Sequence, residues 1–136
     1  MKKFLSIHYS DGAFNFAILL LRLCLGLYML IVHGMDKLMH FAERAASFYD
    51  PFGIGHKASL VLMIFAEVFC SIFVILGLFT RFAVLPLIIG MAVAVFGVHK
   101  GLHHNDAEIA AIYLTGYLVL LLCGPGRISV DGMMKK

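Results

Sequence analysis

Charge is what this chain has least of. Only 14% of its 136 residues are Asp, Glu, Lys or Arg, against about 25% in soluble proteins. Hydrophobic residues make up 62%, and the mean hydropathy is +0.96. A water-soluble domain of this length has no interior large enough for that much apolar surface. Paired cysteines are absent too: Cys24, Cys70 and Cys123 form no CxxC, are odd in number, and lie in or at the end of apolar runs. That argues against a disulfide framework and a two-cysteine thiol-exchange enzyme, and predicts buried, inert thiols. There is no dinucleotide fingerprint and no clear metal-ligand set. The net charge of +3 is spread over tails and loops rather than over a basic face with interleaved aromatics, so nucleic acid is not an expected partner.

What is present is four long apolar runs, which predict an all-α protein: a transmembrane four-helix bundle with spans at about 13–33, 58–79, 82–98 and 107–123. These leave no room for a second domain. Lys2 and Lys3 before the first run imitate a secretory signal. That run carries Arg22 and reaches His33-Gly34 without a small-x-small cleavage site, so a retained span is expected. Between the first two spans Leu38, Phe41, Ala42, Ala45, Phe48 and Tyr49 recur at helical spacing, with polar residues between them. They predict an amphipathic interfacial helix, either a lid over the bundle end or a solvated linker. Thr80-Arg81 is a minimal turn that makes the second and third spans antiparallel neighbours. Gly26, one turn beyond Arg22, predicts close helix approach with Tyr28 near the same packed region; Gly90, Ala92, Ala94 and Gly97 form a second small-residue set. Asp106 is placed as the N-cap of the fourth span. An even span number puts both termini on one side. That side carries Lys2, Lys3, Arg81, Arg127, Lys135 and Lys136, against Lys37, Arg44, Lys57 and Lys100 on the other, a bias that predicts cytoplasmic termini.

Arg22 and Glu67 stand alone near the centres of the first and second runs. An uncompensated charge at mid-bilayer costs at least about 2.5–3.5 kcal/mol. Counting from the two span ends at 1.5 Å per residue puts them within roughly 5 Å in depth, so an Arg22–Glu67 pair is expected, either fixing helix register or closing a polar cleft. Lys37 and Glu108, at the outer ends of the first and fourth spans, are expected to form a second pair or to bind a polar head group. Six histidines, His33, His40, His56, His99, His103 and His104, fall on the outer side. Imidazole binds metal, shuttles protons or donates to a carbonyl, and the spacing does not choose among these. No cysteine joins them, so no structural metal site is expected.

Arg22-Leu23-x-x-Gly26, Gly34-x-x-Lys37-Leu38, Glu67, Gly77-Leu78-x-Thr80-Arg81, Glu108 and Gly124-Pro125-Gly126 followed by Ser129-x-Asp131 together resemble the DoxX family of small four-helix membrane proteins, over about residues 15–131. The resemblance implies a bacterial inner-membrane protein tied to redox chemistry. The family is named for a subunit associated with thiosulfate:quinone oxidoreduction, and other members are linked to membrane oxidoreductase complexes, redox-stress defence or assembly. On that basis quinone is the implied ligand. Arg22 and Glu67 would lie at the inner end of the site and His33, Lys37, His99 and Glu108 near its mouth; no catalytic residue is assigned. Lipid, redox protein partners and a second copy of the chain are the implied partners. The alternative is a non-enzymatic scaffold or assembly factor that holds membrane proteins through its small-residue faces.

Overall fold

A computed structural model describes residues 2–98 and 107–134. The expectations resting on His99, His103, His104 and Asp106 lie outside the described residues. Within them there is helix and no strand: α1 Lys2–Leu5, α2 Asp11–Met39, α3 Phe41–Ala45, α4 His56–Leu76, α5 Thr80–Gly97, α6 Ala107–Cys123 and α7 Val130–Met134. Three of these, α2, α4 and α5, are long and apolar enough to cross a membrane, and α6 is a shorter apolar helix of 17 residues. The chain is an integral membrane protein on that composition, and exposed Phe65, Phe69, Phe82 and Phe96 are what a lipid-facing surface requires.

Helix α2 packs against α4 and α6, and α5 packs against the same two. The core between them is built from Leu25, Met29, Val74, Val84, Leu87 and Leu120, each at most 6% exposed. Gly26 sits against Ile75 and the Ser71 carbonyl of α4, as its spacing predicts, but Tyr28 points outward and is 60% exposed. The small residues of α5 are used inside the protein: Gly90 faces Met63 and Gly97 faces the Tyr49 ring. Of the thiols only Cys70 is buried; Cys24 and Cys123 are exposed, because both lie on outward faces of their helices rather than on the packed stripes.

Helix boundaries differ from the sequence expectation where glycine chemistry intervenes. The second span ends at Leu76 rather than Phe79, because Gly77 takes a left-handed φ of 70°. Gly77 N–H then donates to Val74 O and Leu78 N–H to Phe73 O, closing the last turn in the pattern that favours glycine just beyond a helix. Ser10 caps α2 by accepting from Ala13 N–H, so the helix starts at Asp11, two residues before the expected start, and it runs on to Met39 through a widened π-helical turn at Met29–Gly34. The amphipathic segment is shorter than its periodicity implies. Helix α3 covers only Phe41–Ala45, and Phe41, Ala45 and Phe48 pack on Leu60, Ile64 and Val68 of α4, while Leu38 and Tyr49 stay exposed.

Candidate polar site

The two buried charges do not meet. Arg22, 2% exposed, spends its guanidinium on carbonyl oxygens: Nε donates to Val74 O at 3.0 Å, Nη2 to Ile75 O at 2.9 Å, and Nη1 to Pro125 O at 2.9 Å and Ile128 O at 2.6 Å. Val74 and Ile75 lie in the last turn of α4, whose carbonyls have no partner within the helix and carry the negative end of its dipole. One planar fork thus joins the end of α4 to the loop after α6, a geometry suited to arginine. A Cβ on Gly77 would stand 2.9 Å from Arg22 Cζ, so the glycine that turns the chain also makes room for the guanidinium. Asp131 completes this end. Its carboxylate accepts from Phe79 N–H at 2.9 Å and Thr80 N–H at 3.1 Å, and its own N–H donates to Gly77 O at 2.9 Å. It caps α5 from a distant part of the chain, satisfying donors that α5 cannot satisfy itself.

Glu67 lies seven residues before Val74, about 10 Å farther along α4 at 1.5 Å per residue. The expected Arg22–Glu67 pair fails because the counting assumed that both spans begin at one level. Helix α2 starts at Asp11 and carries about three turns before Arg22, while the last turn of α4 lies level with it. The partner of Glu67 is Lys37, with Nζ 2.8 Å from Oε1. Glu67 is 1% exposed, and the Lys37 side chain 15%. The expected Lys37–Glu108 pair is therefore replaced, and Glu108 is exposed on the first turn of α6.

Backbone proximity makes the pair possible. A Cβ on Gly34 would stand 2.9 Å from Glu67 O, so α2 and α4 touch main chain to main chain one turn before Lys37. Both partners border irregular helix: Gly34 ends one π-helical turn, and Glu67 lies inside another at Phe65–Cys70. Such turns are rare and recur at functional sites.

Around the pair the structure gathers His33, which the sequence points to, together with Tyr113, Tyr117 and Ser71, which it does not. His33 is half-buried with its ring edge-on to Tyr113, centroids 5.4 Å apart at 88°. Tyr113 stacks on Tyr117 at 6.1 Å, and both tyrosines lie within electrostatic range of Glu67. Ser71, four residues beyond Glu67, is fully buried. The signal was present: two tyrosines four apart in an otherwise apolar span, and a serine four residues after the lone glutamate, each share one helix face. At the outer edge Asp36 accepts from Arg44 Nη2 at 2.6 Å, with His40 Nδ1 3.2 Å from its other oxygen, tying α3 to the end of α2. The site is thus a buried acid neutralised by a partly accessible amine, with an imidazole and two phenols beside it. It can donate hydrogen bonds to an oxygen-bearing ligand and hold a proton near it.

The DoxX family model matches residues 17–100. An uncharacterized protein of Haemophilus influenzae is 32% identical over 118 residues, covering 80% of this chain and 84% of its own. The uncharacterized membrane protein Rv3486 of Mycobacterium tuberculosis is 30% identical over 136 residues, covering 88% of this chain and 82% of its own. No solved structure matches.

Proposed function

The chain belongs to the DoxX family, and from that premise we propose that it is a redox-associated membrane subunit that takes a quinone head group beside the Lys37–Glu67 pair. The observation that carries this reading is the pair itself: a carboxylate 1% exposed and, 2.8 Å away, the amine of a side chain that is 15% exposed. A quinone needs an apolar slot entered from lipid, and donors at its oxygens that follow their changing charge. Lys37 and His33 supply donors, Tyr113 an aromatic wall, and Glu67 the proton store. A bound quinone would supply two-electron chemistry that no side chain here performs, and a partner protein would bring the electrons.

In this reading the chain is a single four-span bundle in the bacterial inner membrane, with α6 as the fourth span. Arg81 and Arg127 mark the cytoplasmic end, the end of the Arg22 clasp and of both termini. Lys37, His33 and Glu108 then face the opposite side, and Arg22 leaves the ligand site. The scaffold alternative is the weaker one, because Gly90 and Gly97, the small residues it needs for partners, are covered by Met63 and Tyr49.

The test is titration of the purified full-length protein in lipid nanodiscs with a quinone analogue. Glu67→Gln and Lys37→Met should weaken binding at least tenfold, while Glu108→Gln leaves it unchanged. Equal affinity in all four proteins would reject the placement.

A further inference from the structure

The outward side of α4 is not a smooth apolar wall at its start. Between the end of α3, the turn before α4 and the first two turns of α4 lies a groove of about 850 Å3, open along one side. That volume falls within the roughly 300–1,000 Å3 of small-molecule sites. The groove exists because the residues that meet there are small: Ala45 and Ala46 at the end of α3, Gly55 in the turn and Ala58 on α4. Its rim is fixed by Asp50, whose carboxylate accepts from Ile54 N–H, Gly55 N–H and the Ser59 hydroxyl.

The two ends of the groove differ in chemistry. At the start of α4 the wall is His56 and Lys57. Lys57 is exposed and has no carboxylate within ion-pair distance among the described residues, whereas Lys37, Arg44 and Arg127 have Glu67, Asp36 and Asp11. His56 Nδ1 donates to the Phe48 carbonyl, which holds the ring and leaves Nε2 for another partner. Farther along α4 the wall is Val61 and Leu62, and the apolar track does not end with the groove. Ala58, Val61, Leu62, Phe65 and Phe69 recur at the spacing of one helix stripe, and all are exposed, with the Phe65 and Phe69 rings 6.0 Å apart. From Ala58 to Phe69 the stripe is about 16 Å long at 1.5 Å per residue, close to half of the roughly 30 Å hydrocarbon core. A free cation thus heads an apolar track about as long as one leaflet is deep.

We propose that this groove binds one acidic phospholipid, with its phosphate beside Lys57 and His56 and an acyl chain laid along Val61, Leu62 and Phe65. Basic pockets at the ends of membrane helices attract anionic head groups, whereas a zwitterionic head brings its own ammonium to Lys57 and loses that advantage. The nearby acids do not oppose the head group. Asp50 is engaged by its three donors, and Glu43, exposed on α3, does not line the groove. A lipid seated there bridges α3 and α4, which otherwise meet through Phe41, Ala45 and Phe48 on Leu60, Ile64 and Val68. The stripe is exposed while Glu67 on the same helix is 1% exposed, so lipid and ion pair occupy different faces of α4.

The test is native mass spectrometry of the full chain, released from detergent micelles after titration with dioleoylphosphatidylglycerol or dioleoylphosphatidylcholine, an acidic and a zwitterionic lipid with the same tails. The native protein should hold the first acidic lipid about fivefold more tightly, the worth of one lysine beside an anionic lipid surface. Lys57→Gln should abolish that preference. Ala58→Phe, which fills the groove and keeps Lys57, should weaken the acidic lipid by at least about as much. Arg127→Gln, which removes an exposed cation at the clasp end, should change neither lipid, and a large excess of inorganic phosphate should displace nothing. Equal binding of the two lipids by the native protein, a retained preference in Lys57→Gln, native affinity in Ala58→Phe or an equal loss in Arg127→Gln would each overturn the proposal. Displacement by phosphate would reveal an anion site that does not use the tail, and overturns it too. Both substituted groove positions are exposed; should Ala58→Phe still fail to fold, Lys57→Gln decides by head-group preference alone. No quinone is present, so this proposal and the quinone reading fail on separate measurements.

Discussion

Lys37 and Glu67, thirty residues apart in sequence, form a buried ion pair, and Arg22, the other buried charge among the described residues, takes no carboxylate partner among them but holds four carbonyl oxygens instead. The two arrangements solve the same problem differently. A carboxylate buried among apolar helices needs a cation, whereas a guanidinium with five donors is satisfied by main-chain carbonyls at the end of α4 and in the loop facing it.

Replacing Arg22 tests that difference. Hydrogen bonds to a charged group contribute about 1.5–3 kcal/mol each, and lysine, with three donors on one atom, does not span carbonyls from two directions. Arg22→Lys should therefore lower the unfolding midpoint in micelles by several degrees, and Arg22→Met by more. The exchange variant Arg22→Glu with Glu67→Arg should restore nothing, since it leaves the carbonyls facing an acid. Recovery of stability in the exchange variant would reinstate contact between the two positions.

Asp131 caps α5 through Phe79 and Thr80 N–H. Loss of a cap costs about 0.5–2 kcal/mol, so Asp131→Ala should destabilise by roughly 1 kcal/mol, with faster amide exchange at Phe79 and Thr80. Unchanged protection at those two amides would show that the cap is not made in solution.

Gly34 permits main-chain contact between α2 and α4, with a Cβ there only 2.9 Å from Glu67 O and from Val68 Cγ2. The obstacle is backbone, which yields little, and overpacking of this kind costs about 1–3 kcal/mol. Gly34→Ala should push the helices apart and loosen the Lys37–Glu67 pair, so quinone-analogue affinity should fall together with stability. An alanine variant with native melting and native affinity would contradict the contact.

Outside the helices, Asp50 sets the entry to α4. Desolvation pushes its carboxyl up, but the N–H groups of Gly55 and Ile54 and the Ser59 hydroxyl outweigh it and hold the carboxyl below its usual value of 3.8. Because the folded value is depressed, the stabilisation is fully present above pH 3.8 and is lost as pH falls through the lowered value. Amide exchange at Ile54 and Gly55 should therefore accelerate only below that pH, and Asp50→Asn should flatten the profile. An acceleration near neutral pH would assign the turn to another group.

Much of this was legible in the sequence, and the failures share a cause. The helices of α4 and α5 and their tight turn follow from apolar runs punctuated at Gly77, and Gly26 announces close approach. The site was legible as residues but not as partners. Lys37, Glu67 and His33 were named, yet pairing depends on where each helix starts relative to its neighbour, and α2 protrudes beyond Arg22 by an amount fixed by the Ser10 cap and the clasp. Tyr113 and Tyr117 were hidden because a phenol in an apolar run reads as packing until the facing helix supplies Glu67. Asp131 as a cap was invisible because its donors lie 51 and 52 residues away.

Whether Lys37 neutralises Glu67 within the bundle is read from the unfolding free energies of four proteins: native, Lys37→Met, Glu67→Gln and the double variant. Breaking a buried pair from one side costs about 3–5 kcal/mol, whereas removing both charges is often nearly neutral. Each single variant should be destabilised on that scale, and the double variant should recover most of the loss. Additive losses, with the double variant worse than either single, would show that the two groups do not interact and would contradict the site.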